Sequence, residues 1–128
     1  MRRALGLTAA AGLLAGGLVG LAPTSASAAY TTVAEYDGGR VQACRAVVDG
    51  GGVVRFRLDN RRAGETHAAG VTRARDGDSR TVVVRAAAGA SSSTRTVPVR
   101  SGDRLTAFAQ EESAGAAQDF TRAALPRC

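Results

Sequence analysis

The chain contains no lysine, no isoleucine and no tryptophan, and only one histidine and two cysteines. Each gap removes a class of function. Without Trp, and with aromatics at 4% of residues, there is no run of stacking platforms for sugars or single-stranded nucleic acid. One His and two Cys are too few for a zinc centre built on nitrogen and sulfur. His67 alone would have to serve any Ser–His–Asp triad. No serine sits on the sharp turn that exposes a nucleophile, and Ser91-Ser92-Ser93 reads as a soft loop. His67, between Thr66 and Ala68, reads as a strand-edge residue. All 17 basic residues are therefore Arg, and Ala, Gly and Val dominate the rest. That is the codon signature of a GC-rich genome and points to a high-GC Gram-positive, actinobacterial source.

Long apolar runs are equally scarce. One exists, from Ala4 to Leu21, preceded by Arg2-Arg3 and followed by Pro23 and the small residues Ala26-Ser27-Ala28. Charged start, short apolar stretch and small-residue site are the three parts of a secretory signal. The run is short and Gly-rich for a membrane span. Residues 1–28 are thus expected to be a Sec signal peptide cleaved after Ala28, with Ala29 the next choice. The arginine pair lacks the context of twin-arginine export. No Cys directly follows the apolar run and no hydrophobic tail precedes Cys128. The expected product is extracellular, free in the medium or loosely held by the wall, with no membrane contact after cleavage.

Loss of Arg2 and Arg3 lowers the net charge from +6 to +4, with 11 acidic residues interspersed. A nucleic-acid binder concentrates its basic residues and adds aromatics, so nucleic acid is not an expected partner. Residues 29–128 make one domain by length. Its large apolar residues are twelve Val, three Leu, three Phe and two Tyr, a small core for a chain of this size. In an exported chain two cysteines read as one bridge. Cys44–Cys128 spans 84 positions and stabilises by at most about 4–5 kcal/mol through loop-closure entropy.

The valine excess favours strands. Residues 30–36 form an opening strand stopped by Asp37-Gly38-Gly39, and 41–48 a second. Asp49-Gly50-Gly51-Gly52 is a hairpin signal. In 53–59, Val54, Phe56 and Leu58 alternate with Arg55, Arg57 and Asp59, giving one buried and one wet face. Alternation is weaker over 66–75, which ends at Asp76-Gly77-Asp78-Ser79. Val82-Val83-Val84 suggests a strand near the middle of a sheet. Val97 and Val99 face inward, and Pro98 marks an edge. Over 105–109 either face can be buried. Residues 111–119 read as a loop and 120–125 as a closing strand. Seven or eight short strands with frequent turns predict an all-β sandwich.

Val53 to Asn60, a strand ending in Asn, and Thr96-Val97-Pro98-Val99-Arg100-Ser101-Gly102-Asp103 resemble the strand and turn patterns of immunoglobulin-like bacterial extracellular modules. The order matches over roughly 44–128. It also resembles small secreted proteins of Streptomyces-type bacteria. The resemblance implies an immunoglobulin-like β-sandwich and carries over no activity and no site residue.

Candidate chemistry is sparse. Asp76-Gly77-Asp78 opens like a calcium loop, but position twelve is Ala87 rather than Glu, so a hairpin turn is the better reading. Glu111-Glu112 with Asp119 offers paired carboxylates of the kind glycoside hydrolysis uses. A sugar cleft also needs aromatic platforms, and with no Trp in the chain these acids read as a solvated loop. No catalytic residue, metal ligand or cofactor is expected. Arg55, Arg57, Arg61 and Arg62 form the candidate contact surface, with loops 60–64 and 113–119. The expected function is a non-enzymatic binding or structural module, its partner an extracellular protein or an acidic cell-wall polymer. The alternative is a secreted inhibitor or small-molecule carrier, for which Phe56, Phe108 and Phe120 would line a pocket.

Intact mass spectrometry checks the bridge. The unreduced monomer should take up no alkylating agent and the reduced one two equivalents; a reducible dimer would refute the intramolecular pairing.

Overall fold

Three Asp-Gly pairs shape the fold. In the computed structural model, which describes residues 29–128, both residues of each pair have positive φ: Asp37 45° and Gly38 87°, Asp49 50° and Gly50 79°, Asp76 45° and Gly77 82°. Two consecutive left-handed residues form the tight turn whose twist matches antiparallel strands. Each pair is flanked by directly paired residues, Tyr36 with Gly39, Val48 with Gly51 and Arg75 with Asp78. The expected leader and its cleavage site lie outside the described residues.

These turns join β1 (Thr31–Tyr36) to β2 (Gly39–Val48), β2 to β3 (Gly51–Asp59), and β4 (His67–Arg75) to β5 (Asp78–Ala86). β6 (Arg95–Pro98), β7 (Arg104–Gln110) and β8 (Gly115–Phe120) complete the set. Two antiparallel four-stranded sheets result, ordered β1-β2-β3-β6 and β5-β4-β7-β8. They face each other as a β-sandwich.

The core lies between them. β3 delivers Val54, Phe56 and Leu58, all fully buried, and β2 adds Val41 and Ala43 opposite Leu58 and Phe56. The second sheet answers mainly with small side chains: Ala69, Val71, Val84, Ala86, Leu105, Ala107 and Ala109. Phe56 is thus the largest fully buried side chain.

Several expectations change. The weak alternation over 66–75 belongs to a central strand, because β4 pairs with both β5 and β7 and its first five residues are all buried. The valine triplet sits on an edge strand instead of mid-sheet: β5 pairs only with β4, so Val84 is buried while Val83 is 45% exposed. In β7, Leu105, Ala107 and Ala109 face inward. Phe108 lies on the outer face over Gly70, where a Cβ would come within 2.7 Å of its ring. Residues 111–119 are not one loop, since Gly115–Phe120 is β8, paired along β7. Its Ala, Gly and Gln have weak strand preference, so it is the β7 ladder that holds this segment extended. The expected closing strand 120–125 is instead the last residue of β8 followed by a 3₁₀ turn, Arg122–Ala124. Pro98 does sit on an edge strand, β6.

The C-terminus is laid against β2. The Arg45 N–H donates to the Pro126 carbonyl and the Cys128 N–H to the Arg45 carbonyl, both at 2.9 Å. Cys44 and Cys128 are disulfide-bonded, their Cα atoms 5.0 Å apart.

Phe56→Ala should destabilise by about 3–5 kcal/mol. Arg57→Ala on the opposite face should cost under about 1 kcal/mol. Denaturation midpoints measure both, and equal shifts would contradict the register.

Candidate functional site

Three polar residues among those described are buried: Asp59, Asn60 and His67. Asp59, at the end of β3, accepts hydrogen bonds from Arg61 Nε at 2.9 Å, Arg61 Nη2 at 3.0 Å and Arg40 Nη2 at 3.1 Å. The Arg61 hydrogen bonds outweigh the cost of burial and, with the charges of Arg61 and Arg40, hold the carboxyl well below the usual carboxylate range. Asn60 Nδ2 donates to the carbonyls of Glu65, Ala86 and Ala87. The segment 60–64, expected to be a free contact loop, is therefore anchored: Asn60 and Ala63 are buried, and only Arg61, Arg62 and Gly64 are exposed.

The four expected contact arginines separate into two kinds. Arg55 and Arg57 lie on the outer face of β3, opposite Cys44 and Gln42. Arg57 donates to Gln42 Oε1 at 3.1 Å and its guanidinium lies 4.1 Å from the centre of the Tyr30 ring, a stacking that holds it flat on the sheet. Among the described residues Arg55 and Arg62 make no ion pair. Arg61, by contrast, is spent on Asp59.

A second group was not legible in the sequence. β4 and β7 pair Ala68 with Gln110, so His67 and Glu111 fall on the next rung. Both carry the parity of the inward-facing residues. The tip of the β1–β2 hairpin brings Asp37 to the same end of the sandwich. One ligand atom from each of Asp37, His67 and Glu111 lies within 4.8 Å of the others. His67 is 1% exposed, and neither ring nitrogen has a hydrogen-bond partner. Its ring meets that of Tyr36 edge-on, with centroids 6.0 Å apart. Glu65 stands with Glu111 on the wall of one cleft. The neighbouring Glu65 carboxyl, loss of solvation, and the charge of Asp37 push the Glu111 carboxyl up to about 7. Beside this group opens a cleft of about 630 Å³, lined in part by Glu65, Ala68, Arg85, Glu111 and Glu112. The expected reading of His67 as a strand-edge residue holds only for its place at the start of β4; its side chain is interior.

Other candidates come apart. Asp76-Gly77 is a two-residue hairpin. Asp119 faces outward on β8, bonded to Thr106 Oγ1 at 2.6 Å, whereas Glu111 faces the sandwich interior, so the two do not form a carboxylate pair. Phe56 is in the core, Phe108 on the outer face of the second sheet and Phe120 on β8 against the core. They line no common pocket.

No protein-family model matches the chain, and no curated protein or solved structure matches it. Fold and site define a small disulfide-braced β-sandwich.

A further ion pair contributes to acid behaviour. Arg75 at the end of β4 grips Asp103 with Nε and Nη2, each at 2.6 Å, and the Arg100 N–H adds a bond at 2.7 Å. The Arg75 hydrogen bonds, against the cost of burial, lower the Asp103 carboxyl to about 2 from the ordinary 3.8. A depressed carboxyl stabilises the fold above its unfolded value and loses that contribution as pH falls through its folded value. The Asp103 contribution should hold from neutrality to about pH 4 and be lost toward about pH 2. Asp103→Asn should flatten that fall in acid denaturation curves; an unchanged slope would assign it elsewhere.

Proposed function

We propose that the protein is a secreted, non-enzymatic binding module whose contact surface is the outer face of the first sheet. The module is of the immunoglobulin-like kind met in extracellular proteins of Streptomyces-type bacteria. One observation carries this reading. Arg55 and Arg57 stand on a rigid strand, pre-positioned by the β2–β3 register, with Gln42 and the disulfide opposite them and no acid in register. Rigid, aligned guanidinium groups suit anionic partners because they bind phosphate and carboxylate through paired N–H donors. Exposed Arg62 extends the surface beyond the end of β3.

The partner is an acidic cell-wall polymer. Attraction of this kind is long-range and salt-dependent. The disulfide fits an oxidising compartment. No helix among the described residues is long and apolar enough to cross a membrane. The pocket of Phe56, Phe108 and Phe120 that would favour a small-molecule carrier does not form, since the three rings lie in different places.

Sedimentation with purified cell walls tests the proposal. Wild type should co-sediment at low salt and be released by about 0.5 M NaCl. The Arg55→Gln/Arg57→Gln double variant should bind about tenfold more weakly or worse. Arg85→Gln/Arg104→Gln, on the outer face of the second sheet, should bind like wild type. Equal loss in both double variants would reduce the interaction to net charge and refute the assigned face. Turnover by wild type in a panel of peptide, ester, glycan and phosphate substrates would refute the non-enzymatic reading.

A further inference from the structure

A buried imidazole with two unpartnered nitrogens is costly, because both groups have given up water and gained no hydrogen bond. In this fold that imidazole belongs to His67, and it faces carboxylates. Asp37, exposed, and Glu111, half-buried, each place an oxygen within 4.8 Å of a His67 nitrogen and of each other. Glu65 lines the same cleft as Glu111. Three acidic groups converge here in a chain whose net charge is +6, so the convergence does not follow from an acidic composition.

We propose that Asp37, His67 and Glu111 bind one divalent transition-metal ion, zinc being the ion whose preferences they meet, and that the bound ion clips the β1–β2 hairpin tip to the second sheet.

The geometry is close to what an ion needs. Ligands about 2.0–2.2 Å from zinc can be no more than about 4.4 Å apart. Side-chain adjustment of Asp37 and Glu111 closes the remaining distance without moving a strand. A neutral imidazole nitrogen and two carboxylates are zinc ligands, and a fourth position is left to water. Calcium and magnesium prefer all-oxygen shells, which the imidazole denies them. Soft ions such as Cu(I) seek thiolates, and both cysteines are bonded to each other. Half-buried Glu111 and exposed Asp37 leave the ion a way in from solvent.

The position gives the ion a mechanical role. The ligands come from a hairpin turn of the first sheet, the first residue of β4 and the residue after β7. They meet at the end of β2 marked by Gly39, where a Cβ would touch Asn60 Oδ1 at 2.8 Å and His67 Cγ at 3.3 Å. Cys44 lies five positions further along the same strand, roughly 16 Å away. Metal and disulfide would thus hold the sandwich at two separate places, and since the ion binds only the folded arrangement, its binding free energy adds to stability.

The test uses the protein purified from culture medium without a histidine tag, stripped with chelator and titrated with zinc alone. Calorimetry should give one ion per chain with a dissociation constant in the micromolar range or below, and zinc should raise the Tm. Because His67 is the only histidine, its ring C–H signals in the NMR spectrum are identified by inspection, and they should shift in step with the calorimetric stoichiometry. Asp37→Asn is the decisive variant. Asn is favoured at the first position of this turn type, so the hairpin should persist while zinc affinity falls at least about tenfold, one ligand's worth. Glu111→Gln should do the same. Asp76→Asn, the same change in the β4–β5 turn, should bind zinc as wild type does. The proposal is overturned if zinc fails to saturate, if the His67 signals do not move, if Asp37→Asn binds as wild type does, or if calcium binds and zinc does not.

Discussion

Two left-handed residues in succession, Asp49 then Gly50, lock β2 and β3 into one register, and nearly everything else in the molecule is arranged around it. A slip of one residue would turn every side chain of β3 to the opposite face. Val54, Phe56 and Leu58 would leave the core, and Arg55 and Arg57 would enter it. The same register sets Cys44 opposite Arg55 on the outer face, where the C-terminal residues lie along β2 and Cys128 can reach it. The bridge therefore depends on the hairpin as much as it reinforces it.

The interior is built from unequal halves. The first sheet contributes Phe56, Leu58 and several Val; the second contributes mostly Ala and Val. Large side chains set against small ones let the two sheets close without voids. They also leave little apolar surplus, which is why covalent and ionic ties matter in a domain of this length. Arginine supplies the ionic ties. Asp59 and Asp103 are each gripped by a guanidinium through two nitrogens, the paired geometry that makes such contacts strong. Asp59 ends β3 and Asp103 closes the turn that leads into β7, so each tie fixes a connection between strands.

His67 belongs to a different kind of place. It occupies an interior position at the end of the sandwich where the core runs out and the hairpin tip of the opposite sheet folds over. Asn60 beside it satisfies three carbonyls, whereas the imidazole satisfies none. A packed interior tolerates few such groups, and the concentration of carboxylates around this one makes the sandwich end chemically distinct from the arginine face of the first sheet.

Local signals determined much by themselves. The Asp-Gly pairs prescribed tight turns because only residues tolerant of positive φ can close a two-residue hairpin. The alternation in Val53–Asp59 prescribed which face of β3 is buried, because side chains on a strand point to opposite sides in turn. The expectation of export and the cysteine count pointed to the bridge. Other elements carried no local mark. Gly115–Phe120 has weak strand propensity and is held extended by the ladder that β7 offers it. The valine triplet looked central and lies on an edge, because strand order is a tertiary choice that hydrophobicity does not encode. The grouping of Asp37, Glu65, His67 and Glu111 was equally invisible. Asp37, Glu111 and the Glu65–His67 segment are far apart in the chain, and each alone reads as a turn, loop or strand-edge feature. Only the β4–β7 register and the closure of one sheet over the other bring their oxygens and nitrogens together, because convergence in space depends on how strands pair and cross, and no single segment of sequence contains that information.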